Sequence, residues 1–258
     1  MRLPPRERWR RLAGGSICAV WAVELEDGSR VVVKDTPYPA TVEADGLAAL
    51  AAAGAPVPAV LLVEDSLLVL EHVAAGAPDW AGLGARVAEL HRSIGPAFGW
   101  SEDNRIGPLV QPNGLLDRWP EFYALRRVRP HLDSPALPVD LRRRIERGLE
   151  HHIDELLPQR PPASLVHGDL WSGNVIDGRW LIDPAVHHAD REYELAFAEV
   201  FGGFPSEFWS SYQDAWPLPE GWQRRRPALQ LSHLLVHVRL FGGGYAGAVA
   251  ARLDALGW

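Results

Sequence analysis

The feature that most constrains this chain is a change of apolar rhythm near residue 74. Up to Val73 the apolar residues come in short β-prone runs broken by turn residues, and beyond it they recur mostly at helical spacing. Cys18–Leu25 and Arg30–Lys34 flank Asp27-Gly28, a dipeptide suited to a tight hairpin. A helix is predicted over about residues 40–53, with Val42, Leu47 and Leu50 among its apolar positions and Gly54 as its stop. Strands near Val60–Val63 and Leu67–Glu71 join through Glu64-Asp65-Ser66, and Arg10–Ala13 is a candidate first strand. Residues 1–73 therefore read as a small β-rich lobe, too short to be stable alone. Residues 74–258 read as a larger helical lobe that begins with a connector, Ala74–Asp79. Its predicted helices are Trp80–Ile94, Leu115–Val128, Val139–Leu157, Arg191–Phe201, Ser206–Ala215, Pro227–Phe241 and Tyr245–Leu256. One hairpin interrupts them, Asn174–Ile176 with Trp180–Asp183 about Asp177-Gly178. The expected fold is α+β and bilobal, with a cleft between the lobes.

Composition removes several classes of function. With 258 residues, 47% of them hydrophobic, the chain can bury a sizeable core and is not disordered. A formal net charge of −7 argues against nucleic acid as the main partner. Arg142–Arg144 and Arg224–Arg226 read as solvated helix faces. The longest apolar stretch, Leu47–Val63, is interrupted by Gly54, Pro56 and Pro58 and cannot span a membrane as one helix. Met1–Arg11 lacks the apolar segment of a secretory signal. The single cysteine, Cys18, excludes a disulfide framework and a cysteine-based zinc site. A cytoplasmic protein without membrane partners is expected; a monomer is the simplest state, and the sequence leaves oligomerisation open.

Of 26 basic residues, 25 are arginine and one is lysine, Lys34. It ends the strand before the first predicted helix, and Glu43 lies one turn into that helix. An ammonium held by a helical carboxylate is the means by which kinases grip the α- and β-phosphates, although a surface lysine beside an unrelated glutamate has the same spacing. The strongest local signal is Leu165-Val166-His167-Gly168-Asp169-Leu170-Trp171-Ser172-Gly173-Asn174, followed by Leu181-Ile182-Asp183-Pro184. It sets a carboxylate, an amide oxygen and a second carboxylate around one hairpin. Phosphoryl transfer needs such a set: one carboxylate to orient or deprotonate the attacking hydroxyl, and hard oxygens to hold Mg²⁺. A bare pair of aspartates would more simply cap a turn and end a strand. Gly14-Gly15-Ser16 could cover phosphates with backbone amides, and Glu71-His72-Val73 lies between the lobes, where backbone groups could meet an adenine edge.

Taken together, these residues resemble the fructosamine kinase (ketosamine 3-kinase) family, within the aminoglycoside phosphotransferase and choline kinase-like group. The resemblance rests on residues 167–174, Ile182-Asp183-Pro184-Ala185, Arg191–Ala196 and Phe201-Gly202-Gly203-Phe204. Phe98–Trp100, Asn104–Gly107, Gln111–Asn113, Trp119–Phe122, Leu234–His237 and Leu240–Tyr245 extend it. It implies a protein kinase-like fold and transfer of a phosphoryl group from ATP, with Mg²⁺, to a sugar hydroxyl of a ketosamine or glycated amine. It further implies Asp169 as catalytic base and Asn174 and Asp183 as Mg²⁺ ligands. Lys34 and Glu43 would serve the phosphates, under Gly15 and Ser16, and Glu71, His72 and Val73 the adenine. Trp171 would lie against the sugar, where an indole can stack on a sugar face; a packing tryptophan is the alternative. The stretch before Gly14 is shorter than is usual in the family, and Ser16 stands where some relatives carry a cysteine. Cys18 reads as a small apolar residue, and His187 and His188 receive no role. Rival readings are an aminoglycoside or amino-alcohol phosphotransferase of the same fold, and a nucleotide-binding pseudokinase serving as an interaction module.

Overall fold

The computed structural model describes residues 2–12, 18–74 and 76–258. Ala13–Ile17 lie outside them, so the glycine turn and the end of the candidate first strand are not described. Strands β1 (Arg10–Arg11), β2 (Ala19–Glu24) and β3 (Arg30–Asp35) precede helix α1 (Thr41–Ala52), followed by β4 (Val60–Glu64) and β5 (Leu67–Glu71). The five strands form one antiparallel sheet in the order β1-β2-β3-β5-β4. Strand alternation decides which face each residue of β3 serves. Val31 and Val33 join Val23 and Val69 in one small core, while Val32 and Lys34 face the opposite side, toward α1.

The remainder is mainly helical. It runs through α2 (Trp80–His91), β6 (Asn104–Ile106), β7 (Leu109–Gln111), α3 (Trp119–Phe122, continued by a π-helical turn over Tyr123–Val128), α4 (Val139–His151) and α5 (Ile153–Leu156). Then come β8 (Ser164–Val166), β9 (Val175–Ile176), β10 (Trp180–Leu181), β11 (His187–Ala189), α6 (Arg191–Ala198), α7 (Ser206–Ala215), α8 (Trp222–Phe241) and α9 (Ala246–Leu256). One apolar core joins the sheet to this part: Leu47 and Leu50 of α1 and Leu68 and Leu70 of β5 pack in a cluster with Leu83 and Leu90 of α2, Leu165 and Leu195. A second core, around Trp119, Phe122, Tyr123 and Leu234, lies wholly within the helical part. Among the described residues no helix is long and apolar enough to cross a membrane.

Several sequence expectations are corrected. The predicted helix over 115–128 begins only at Trp119, and Leu116 instead pairs with Phe98 as an isolated bridge. Pro120 has no N–H to donate back to Leu116, so a helix starting at Leu115 would lack one of its first bonds. Val139–Leu157 breaks at His152, whose φ of −129° leaves the helical region. Helix α8 starts five residues before Pro227, which it tolerates near its first turns. The single predicted hairpin is β9–β10, but β6–β7 and β8–β11 also pair. Three-residue strands are too short to display a period-two pattern, and β8 and β11 meet across a long loop.

Candidate active site

The loop between β8 and β9 carries the site, and its shape depends on glycine. Gly168 has φ +84°, and a Cβ there would lie 2.0 Å from the Ala185 carbonyl oxygen. Only glycine accommodates both the backbone angle and the contact. The loop is held from behind by Glu194 of α6, which accepts the His167 N–H at 3.1 Å and the Gly168 N–H at 2.6 Å. His91 of α2 reaches the same carboxylate at 2.8 Å, while the Tyr212 hydroxyl lies 2.8 Å from its other ring nitrogen. Burial opposes the Glu194 charge, but the bond from His91 and the backbone N–H groups hold its pKa below the usual value.

Three further histidines support the loop, and burial pushes the pKa of each below the ordinary value. His167 receives the Asp169 N–H on Nδ1 at 3.3 Å and donates from Nε2 to the Ile182 carbonyl at 2.9 Å. His233 of α8 bonds the Gly168 carbonyl at 3.0 Å and stacks on Phe197, and burial depresses its pKa to about 3. His187, also buried and depressed well below the ordinary value, donates to the Ala185 carbonyl and accepts from the buried Arg127 at 3.2 Å.

In front of this scaffold, Asp169, Trp171, Asn174 and Asp183 line a cavity of about 170 Å³ together with Lys34 and Glu43. The Asn174 amide nitrogen donates to both the backbone oxygen and Oδ2 of Asp169, at 2.9 Å each, so its own carbonyl oxygen is left for another partner. Burial pushes the Asp169 carboxyl up to about 7; the bond from Asn174 lowers it, and the negative charges of Asp183 and Glu194 add to the rise. Lys34 is only 5% exposed. Its ammonium bonds Glu43 at 2.5 Å and also a carboxylate oxygen of Asp183. Burial works against that charge, yet the two carboxylates hold the lysine pKa well above its ordinary value. Asp183 has φ +58°, a left-handed conformation that aspartate tolerates better than most residues, and its side chain is half exposed to the cavity.

Trp171 is 37% exposed, meets Phe201 edge to face and crosses over Gly173, where a Cβ would lie 2.2 Å from the indole. The glycine of the Leu-Trp-Ser-Gly segment thus leaves room for the ring. Glu71 ends β5 and His72 and Val73 follow it, all three outside the cavity lining, and Glu71 bonds Ala59 through its backbone and side chain. Gly15 and Ser16 lie outside the described residues.

Sequence reasoning missed the supporting set: His91, Arg127, His187 and His233, and Glu194 except as part of a resembling motif. Glu194 lies among other charged residues of α6, all eight of whose residues are buried. Sequence reasoning also missed Tyr38, and Arg105 except as part of a resembling motif; both line the cavity, with the guanidinium 4.9 Å from the phenol ring centroid. Cys18 lines the cavity too, its sulfur 3.9 Å from the Tyr38 hydroxyl.

Comparison with known proteins extends this picture. A family model described as fructosamine kinase matches residues 5–256. A protein of Thermus thermophilus named "Probable ketoamine kinase" is 37% identical over 255 residues, covering 95% of this chain and 92% of that protein. A crystal structure from Thermobifida fusca, described as a "putative fructosamine-3-kinase", superposes with a TM-score of 0.89 at 36% identity, covering 96% of this chain and 92% of that one. A choline/ethanolamine kinase family protein of Mesorhizobium loti shares the fold, with a TM-score of 0.63 at 18% identity over 96% of this chain and 87% of that one.

Proposed function

This chain belongs to the fructosamine kinase family, ATP-dependent kinases that act on an alcohol group, and we propose that its acceptor is the 3-hydroxyl of a ketosamine. The observation that carries this reading is the convergence of Lys34, Glu43, Asp169, Asn174 and Asp183 on one cavity, from segments up to 149 residues apart. In this reading residues 1–73 form the nucleotide lobe and 74–258 the catalytic and acceptor lobe. Lys34, oriented by Glu43, neutralises the ATP phosphates, and Glu71–Val73 offers the backbone edge for adenine, with Gly15 and Ser16 over the phosphates.

Asp169 is the base. It orients the acceptor hydroxyl and takes its proton as the oxygen attacks the γ-phosphorus; a carboxyl titrating near 7 is well matched to that task. The Asn174 side-chain carbonyl oxygen, without a partner among the described residues, and the half-exposed Asp183 carboxylate are hard donors that fit Mg²⁺, an ion that takes few protein ligands and keeps several waters. Such an ion would neutralise charge on the transferring phosphates. Lys34 now bonds Asp183, so nucleotide binding redirects the ammonium or shares it with the phosphates. Trp171 offers an indole face to the sugar ring.

Phosphorylation at the 3-position makes the sugar–amine adduct prone to decompose and frees the amine, so the work of the enzyme is deglycation. The test is ADP release from ATP with fructosamine, ribulosamine and erythrulosamine acceptors, beside aminoglycosides and amino alcohols. Turnover confined to the aminoglycosides or amino alcohols would overturn the ketosamine assignment. Nucleotide binding without turnover on any acceptor would favour a pseudokinase.

A further inference from the structure

Lys34 and Arg105 both line the active cavity, but the chain treats these two cations differently. Lys34 is held by Glu43 and Asp183. Arg105, on β6, makes no ion pair among the described residues, although Glu43, Asp169 and Asp183 line the same cavity. The side chain is nevertheless held in place. Its Nη1 donates to the Pro108 carbonyl at 2.9 Å, in the turn between β6 and β7, and its guanidinium lies 4.9 Å from the ring centroid of Tyr38. Arg105 Nε and Nη2 have no partner among the described residues, and neither is closed off from solvent. These two atoms are the side-on fork of a guanidinium, a pair of parallel donors at the spacing of two carboxylate oxygens. The chain uses that fork elsewhere: Arg225 Nε and Nη2 each reach an oxygen of Glu192 at 2.7 Å.

The place of Arg105 in the fold favours the acceptor over the nucleotide. Its neighbour Ile106 packs with Ala185 and Val236, and Leu240 packs against them. The cavity wall continues from there through His237 and Phe241 of α8. All of these residues belong to the helical lobe, on the side assigned to the acceptor, whereas Lys34, Asn174 and Asp183 already serve the phosphates and their metal.

We infer that Arg105 selects acceptors with a carboxylate beside the amine nitrogen, the adducts of a sugar with a free α-amino acid, its Nε–H and Nη2–H donating to the two carboxylate oxygens. This rests on the ketosamine reading and narrows it. Such an acceptor is a zwitterion. Its secondary ammonium suits a cavity lined by Glu43, Asp169 and Asp183, but its carboxylate is repelled by them unless a cation receives it. A fork held on Tyr38 and Pro108 meets that need with little loss of side-chain freedom. A glycated lysine side chain within a protein carries no carboxylate near its nitrogen and gives the fork nothing to grip.

The test is steady-state kinetics of the full chain with paired acceptors, the glycine and glycinamide adducts of fructose and of ribulose, which differ in charge but hardly in shape. A kcat/KM about tenfold or more higher for the glycine adduct is expected, carried mainly by KM. Arg105→Gln should erase that preference, and Arg105→Lys, which keeps the charge without the fork, should retain part of it. KM for ATP should be the same in all three enzymes. A merely structural role in the β6–β7 hairpin would lower turnover on both adducts alike and leave the preference intact. Equal use of the two adducts by the parent enzyme, or a preference that survives Arg105→Gln, overturns the inference while the ketosamine reading stands. A rise in KM for ATP, equal with either acceptor, overturns it too and assigns Arg105 to the phosphates. Should Arg105→Gln fail to fold, the parent preference and its partial loss in Arg105→Lys decide in its place. No turnover on any of the four adducts overturns the ketosamine reading and this inference with it.

Discussion

Behind Gly168, Glu194 gathers two backbone N–H groups and the His91 imidazole in a space closed to solvent. In front of it, Asp169, Asn174 and Asp183 turn oxygens toward an open cavity, and Lys34 bridges the carboxylates of both lobes. Both regions are rich in charge, but they hold it differently. The rear set spends its polar groups on one another and fixes a loop, while the front set leaves capacity for a ligand. Changes in front should therefore alter activity more than stability, and changes behind should do the reverse.

The largest effect expected is that of Asp169→Asn. Loss of a positioned general base costs about 10²–10⁴-fold in turnover, and the amide should lower neither the melting temperature nor nucleotide affinity, because it removes a charge that burial disfavours. Near-native turnover would remove Asp169 from the reaction and dissolve the contrast between the regions.

Gly168→Ala tests the rear. The added methyl meets the Ala185 carbonyl oxygen at a backbone angle that alanine resists, and a loss of more than about 3 kcal/mol in stability is expected. Chemical denaturation measures it. An alanine variant as stable as the parent would mean that the loop shifts freely and that Glu194 does not fix it.

Lys34→Arg sits on the boundary. A guanidinium keeps the charge but is wider and planar, and it must enter a site that is 5% exposed between two carboxylates. Turnover should fall by about 10², with a measurable drop in melting temperature as well. Steady-state kinetics and a thermal scan on one preparation check both. Wild-type values in each would show that any cation serves there.

Asn174→Ala and Asp183→Ala should raise the Mg²⁺ concentration needed for half-maximal rate, the second more than the first because it also removes a charge. Asp183→Ala also frees Lys34 from one of its two carboxylates. An unchanged Mg²⁺ requirement in both would count against these oxygens as ligands.

The front of the site was far more legible in the sequence than the rear. Lys34, Asp169, Asn174 and Asp183 stand in short segments whose chemistry is conspicuous, and strand alternation sends Lys34 to the correct face. The lobe plan was legible for the same reason, since it follows from apolar period. Glu194, His91 and Arg127 act through contacts between segments from 14 to 103 residues apart, and a buried charge looks like a surface charge until its partners are known. Strands β6 and β7, and the pairing of β8 with β11, were hidden because three residues carry no detectable rhythm.

The smallest effect expected distinguishes Trp171 from its apolar neighbours. Its indole rests edge to face on Phe201 and over Gly173, but it is more than one-third exposed, and the main cores do not include it. Trp171→Ala should therefore change stability by no more than about 1 kcal/mol. If the indole face receives the sugar, the loss appears as a rise of about tenfold in KM for the acceptor, the equivalent of one ring-stacking contact, with KM for ATP unchanged. Trp171→Phe should recover part of that loss, because a smaller face remains. A fall in ATP affinity, or a stability loss as large as that of Gly168→Ala, would move Trp171 from the front region to the rear.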